Sequence, residues 1–270
     1  MLKFRSVAFL AGVTLLGTAC GGPEAAPEEQ QKMSWEEFRA NVYQEPETGV
    51  FIYAGDQMAE DEAELRAVYE QMAGGDVGQT ASELCVYNTG GKDIKWTASQ
   101  ALNLTYCVST KFGGNYSKVV SAMNTAASAW EGAAKVNFIH VTAEDGNCTS
   151  RNGNVVFDVS PVNAGGQYLA RAFFPNSSRR SRNVLIDNSS FQSGAPGLDG
   201  ILRHELGHTL GFRHEHTRPE AGACYEDNQW RALTSYDSGS VMHYPQCNGT
   251  NTWNLTLTTQ DKQGAASLYP

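Results

Sequence analysis

Three histidines and a glutamate share one short run, His204-Glu205-Leu206-Gly207-His208-Thr209-Leu210-Gly211-Phe212-Arg213-His214. On a helix, His204 and His208 stand four apart, so both imidazoles leave the same face. Two rings at that spacing can grip one zinc ion. Glu205 lies beside them, near the metal without being needed as a ligand. Leu202 and Leu206 point roughly 200° away, at about 100° per residue, and turn the other face to a core. Gly211 stops the helix by allowing a left-handed turn. That turn brings the chain back and offers His214 as a third ligand. Three protein ligands leave the fourth tetrahedral position open, the arrangement of a catalytic zinc site.

Further along, Ser240-Val241-Met242-His243-Tyr244 reads as a Met-turn. Together the two stretches resemble the metzincin zinc endopeptidases, in their astacin-like branch. The resemblance is nearer still to the bacterial secreted HEIGH-type metallopeptidases, with Leu206 in place of Ile. It is sharpest over residues 198 to 245 and looser over 92 to 270. It implies one catalytic Zn2+ held by His204, His208 and His214, and hydrolysis of peptide bonds in protein or peptide substrates. Glu205 would be the general base acting on a zinc-bound water. Tyr244 would donate a hydrogen bond to the reacting carbonyl oxygen, and Met242 would floor the site. Tyr53-Ala54-Gly55-Asp56 resembles the F-x-G-D element of astacin propeptides, which implies Asp56 as an inhibitory zinc ligand. Pro219-Glu220 after Arg218 departs from the astacin pattern, so no substrate pocket is carried over.

A site of this kind needs a rigid frame. The sequence predicts strands at 102–108, 136–141, 155–159, 166–173 and 183–187. A long helix is expected over 116–134 with Val119, Val120, Met123, Ala127 and Trp130 buried, then the site helix over 198–210 and a last helix opened by Thr258. The expected fold class is α+β: a twisted, mostly parallel sheet of about five strands with an antiparallel edge strand, a backing helix and an active-site helix. Gln167 to Ala172 falls where the metzincins that the chain resembles keep their edge strand, and such an edge can bind an extended peptide by backbone pairing. His140 is read as structural.

Ahead of this domain, residues 1–19 read as a signal peptide: Lys3 and Arg5, a short apolar run, then small residues. Cys20 followed by Gly-Gly offers a lipidation site, so the product is either freely secreted or lipid-anchored at the cell envelope. Any membrane contact would run through Cys20. Residues 20–91 form an acidic tether and a small N-terminal segment, a possible propeptide. It holds a capping box at Ser34, a strand near Val50–Tyr53 and a helix over 60–72. Residues 76–91 read as a linker, and the catalytic domain is placed at 92–270. The net charge of −9 gathers in the N-terminal segment. No basic stripe marks a nucleic-acid binder, and Arg179, Arg180 and Arg182 read as a solvated loop.

An exported chain permits disulfides. Cys224 and Cys247 bracket the Met-turn and are expected to pair; pairing among Cys85, Cys107 and Cys148 stays open. The rival to a peptidase is a non-catalytic, lipid-anchored surface protein that retains a structural zinc site. An intact Glu205 argues against it.

Overall fold

The computed structural model describes residues 33–74 and 84–270. The signal peptide, Cys20 and half of the expected linker lie outside the described residues. In chain order the elements are α1 (Trp35–Ala40), β1 (Tyr43–Gln44), β2 (Phe51–Tyr53), β3 (Gln57–Ala59), α2 (Glu62–Gly74), β4 (Cys85–Thr89), β5 (Lys92–Asp93) and α3 (Ala98–Ala101). Then come β6 (Leu104–Val108), α4 (Tyr116–Glu131), β7 (Phe138–His140), β8 (Phe157–Val162), β9 (Ala170–Arg171) and β10 (Asn183–Asp187). The site helix α5 (Leu198–Thr209), β11 (Trp230–Ala232) and α6 (Thr259–Leu268) complete the set.

The central sheet has the order β7-β6-β8-β10-β9. Its strands are parallel except β9, which pairs antiparallel with β10 at one edge, Leu185 opposite Arg171 and Ile186 opposite Ala170. The expected α+β class and its antiparallel edge strand therefore hold. α4 packs against α5 and against β6, burying Val119, Ala122, Met123, Ala126, Ala127 and Trp130. Trp130 ties the two helices together, since its ring stacks on Phe212 and its Nε1 donates to the Arg203 carbonyl at 2.8 Å. Val120 is only partly buried and α4 ends at Glu131, because Gly132 leaves the helix with its N–H still bonded to Ser128.

Three boundaries differ from expectation. The edge strand is two residues long rather than eight, since Gly165 and Gly166 both hold positive φ and turn the chain away from the sheet. Residues 85–89 are no linker: β4 pairs with β11 and β5, and Val86 bridges Phe212 behind the site helix. Packing of the domain thus starts at Leu84, ahead of residue 92. Arg179 and Arg182 are anchors and not solvated. Arg179 bonds Asp158 at 3.1 Å, and Arg182 sits over the Trp96 ring at 4.9 Å.

The N-terminal segment forms its own three-stranded sheet, β1-β2-β3. α1 starts at Ser34 with the full capping box, Ser34 and Glu37 bonding each other's backbone N–H. Phe38, Phe51, Tyr53, Leu65 and Val68 pack into a small separate core. Val50, Ile52 and Met58 join the main core instead. Side chains along β2 alternate between the two, as the period of a strand requires.

Cys224 and Cys247 form a disulfide, as do Cys107 and Cys148. Cys85 is buried and has no disulfide partner among the described residues.

Candidate metal centre and cleft

α5 runs from Leu198 to Thr209 and is buried on nearly every side, so its histidines face a site inside the protein. Gly211 follows at φ 98°, in the left-handed region, and returns the chain to His214. The helix can lie close to the Met-turn only because residue 207 is glycine: a Cβ there would run into Met242 Sδ. Asp261 of α6 fixes the Met-turn from below, accepting from Ser240 Oγ at 2.5 Å and the Val241 N–H at 2.9 Å.

Each histidine has one ring nitrogen committed. His204 Nδ1 donates to the Val241 carbonyl at 2.7 Å, His208 Nδ1 to the Phe212 carbonyl at 2.8 Å, and His214 Nδ1 to Glu226 Oε1 at 2.5 Å. A proton on Nδ1 leaves Nε2 as a free lone pair. All three Nε2 atoms turn to one point, with His204 and His214 Nε2 3.2 Å apart. Asp56 caps the same point, its carboxylate oxygens 3.3, 3.6 and 3.1 Å from Nε2 of His204, His208 and His214. A tetrahedron with arms of about 2.0–2.1 Å has edges of roughly 3.3–3.4 Å, so four such ligand atoms fit zinc. The donor set, three imidazoles and one carboxylate, suits the same ion, which would take the place of any proton on Nε2.

Asp56 is reached through a tight turn. Ala54 and Gly55 hold φ of 47° and 98°, and a Cβ on Gly55 would meet the Tyr244 hydroxyl. Tyr244 donates from its hydroxyl to Asp56 Oδ2 at 2.5 Å and stacks on His204 with ring centroids 5.5 Å apart. Gln57, the next residue, brings its amide nitrogen to 3.4 Å from His208 Nε2. Glu205 is 2% exposed, and its Oε2 has no hydrogen-bond partner among the described residues.

The charges are strongly coupled. Burial would raise the Asp56 carboxyl, yet His214 and hydrogen bonds from all three rings hold it well below the usual range. Glu205 goes the other way, raised by burial and by Asp56. Burial drops His208 to about 4. Burial also opposes the charged His214, but Glu226 and Asp56 lift it to about 10. Glu226 is held low against its burial by His214 and His216.

Around this centre, His216 Nδ1 accepts from the Tyr244 N–H at 3.2 Å and its Nε2 lies 3.3 Å from Glu226. Arg213 pairs with Glu226 and Asp227 at 3.0 and 2.8 Å. Glu215 takes Arg218 at 3.1 Å and the Asp237 N–H, and burial raises its carboxyl to about 8. His140 lies across the sheet on Asp145 and stacked on Tyr106, apart from the centre. A cavity beside the histidines is lined by Tyr168, Leu169 and Ala170 on one wall and by His204, Glu205 and Tyr244 on the other.

Sequence reasoning named His204, Glu205, His208, His214, Met242, Tyr244 and Asp56, and the structure brings all of them together. It missed Glu226, Gln57 and Asp261. Glu226 sits in an irregular loop twelve residues past His214, with no periodic pattern to mark it.

The sequence model described as Peptidase M10, matrixin, matches residues 95–224. Protein SpAN of Strongylocentrotus purpuratus is 26% identical over 239 residues, covering 81% of this chain and 34% of its own length. Zinc metalloproteinase nas-30 of Caenorhabditis elegans is 33% identical over 84 residues, 24% of this chain and 11% of its own. The chain thus spans about a third or less of the curated relatives it matches first. A solved structure of myroilysin aligns over 69% of this chain and 98% of that one, at 19% identity and a TM-score of 0.48. The matrixin match takes in the three histidines together with the sheet behind them, and over that stretch the chain is similar to zinc metallopeptidases.

Proposed function

We propose that this chain is an exported zinc endopeptidase, present here in a latent form closed by its own N-terminal segment. The observation that carries this is the tethering of all three histidines through Nδ1, which leaves three Nε2 lone pairs converging beside an unpartnered Glu205 oxygen. A zinc ion held by His204, His208 and His214, one per chain, would supply Lewis acidity and acidify a bound water to a pKa of about 7.

The chain's own residues would do the rest. Glu205, dry and facing the site, takes the proton of the attacking water at its carboxylate and delivers it to the leaving amine nitrogen. The Tyr244 hydroxyl, now spent on Asp56, is a donor for the carbonyl oxygen once Asp56 leaves. Met242 keeps the floor beneath the rings apolar. β9, at the edge of the sheet, presents an extended backbone for the substrate.

Asp56 acts as the fourth ligand in this reading, and residues 20–91 as a propeptide ahead of a catalytic domain at 92–270, with β4 remaining on the domain. Residues 1–19 direct export, and Cys20 is the position for a lipid anchor.

A four-ligand set including Asp56 would also suit a closed structural site, the rival reading. Full-length protein loaded with zinc and incubated with a mixed-protein substrate separates the two. Asp56→Ala should cleave. Adding Glu205→Ala to it should slow cleavage by about 10²–10⁴-fold while zinc content stays the same. Zinc binding with no cleavage in Asp56→Ala would favour the structural site.

A further inference from the structure

Arg171 lies at the outer end of β9 and is completely buried. Its guanidinium grips Glu45 in the two-pronged manner of an arginine on a carboxylate, Nε to Oε1 at 2.5 Å and Nη2 to Oε2 at 2.8 Å. The Tyr168 hydroxyl donates to the same Oε1 at 2.6 Å. The remaining prong, Nη1, reaches Asn183 Oδ1 at 2.7 Å and Met58 Sδ at 3.5 Å. Asn183 is neutral. The nearby Asp158 is already paired with Arg179. The counter-charge of Arg171 thus comes from Glu45, which belongs to the N-terminal segment, as does Met58.

A buried arginine keeps its charge and needs an anion beside it. Tyr168, the third member of this group, lines the same cleft wall as Leu169 and Ala170, facing His204 and Glu205. If the N-terminal segment leaves, as the latent-peptidase reading on which this rests requires, Arg171 and Tyr168 are left with a vacated carboxylate position on the substrate strand.

We propose that Arg171 and Tyr168 form a specificity subsite for an acidic side chain of the substrate, and that Glu45 occupies it in the latent chain as a stand-in for that side chain. The subsite takes a carboxylate by bidentate bonding, so an amide isostere, which cannot accept both prongs as an anion, is discriminated against.

The test uses the full chain with Asp56→Ala and Glu45→Ala, so that the carboxylate on the histidines and the carboxylate in the subsite are both gone. Matched peptides carry Glu or Gln at one position at a time, from three residues before the cleaved bond to three after. At one position Glu should be preferred by about 10- to 100-fold in kcat/KM. Adding Arg171→Met should abolish that preference while Gln peptides are still cut. Equal cleavage of Glu and Gln peptides at every position overturns the subsite and leaves the peptidase standing. No cleavage of any peptide overturns the peptidase and the subsite with it. A second measurement is independent of catalysis. Glu45→Ala alone should gain thermal stability in acetate relative to chloride at equal ionic strength, and Glu45→Ala with Arg171→Met should not. Absence of that acetate effect in Glu45→Ala overturns the proposal.

Discussion

The N-terminal segment and the domain that follows are held together by different means. The domain has a five-stranded sheet backed by helices, two disulfides and one continuous core from Leu84 to Tyr269. The segment has three strands of two or three residues and a core of its own around Phe38 and Leu65. It meets the domain through Val50, Ile52 and Met58, the partly buried Tyr43, and the polar contacts of Glu45, Asp56, Gln57 and Glu60. The segment makes its polar contacts where the cleft lies, on the buried charged groups that surround the three histidines. A unit with a private core and a polar contact surface can be detached without dismantling its host, and that is what a removable inhibitor requires.

Substitutions in the two cores test this contrast most severely. Leu202→Ala removes a fully buried side chain from the main core and should lower the domain's stability by about 2–5 kcal/mol, read from urea unfolding by tryptophan fluorescence. Leu65→Ala, equally buried, should leave that transition in place and instead speed hydrogen exchange and proteolysis over residues 33–74. If both substitutions shift one shared transition equally, the two regions are a single cooperative unit and the contrast fails.

The Cys224–Cys247 bridge belongs to the domain's side of the comparison, since it closes the loop beneath the metal centre. Replacing both cysteines by serine should cost about 3 kcal/mol, measured as a lower urea midpoint, with the N-terminal segment unaffected.

Glu226 sharpens the comparison at the centre itself, where His214 meets a carboxylate from each region: Asp56 at Nε2 and Glu226 at Nδ1. Glu226→Ala should weaken zinc affinity by about 10- to 100-fold in a chelator competition, and Glu226→Gln should recover part of it. Unchanged affinity in Glu226→Ala would show that the ring needs no such support.

The smallest effect concerns pH. Burial opposes the Glu45 carboxylate, but Arg171, Thr48 and Tyr168 bond to it and hold its pKa below the ordinary value of 4.5. A depressed folded pKa means that the contribution is present above the unfolded value and is lost as pH falls through the folded one. Arg171 stays charged throughout. Closure of the segment on the cleft should therefore be stable at neutral pH and weaken as pH falls below 4.5, as followed by hydrogen exchange over residues 33–74. In Glu45→Gln that acid dependence should be reduced.

How much of this was legible in the sequence varied with how local the cause was. His204, His208 and His214 are set by helix periodicity and one glycine, all within eleven residues, so spacing alone located them. The backing helix was legible from the period of Val119, Met123 and Trp130. β4 was misread because Asn88-Thr89-Gly90-Gly91 looks like linker chemistry, whereas it is the turn of the β4–β5 hairpin, and the strand on the other side of β4, β11, lies some 140 residues on. The pairs Glu45–Arg171 and His214–Glu226 carry no motif. The first joins residues 126 apart and the second crosses an irregular loop, and only the folded chain sets such distances.

The three Nδ1 tethers have a consequence for the order of events. They attach the rings to the Met-turn, to the chain just past the helix and to a loop carboxylate, three places that meet only once the domain has folded. The tethers thus depend on folding of the domain and set the ring directions through protein contacts alone. Unlike a zinc finger, whose metal organises an otherwise unfolded chain, this chain should hold its three rings in place by folding and take up the proposed zinc last.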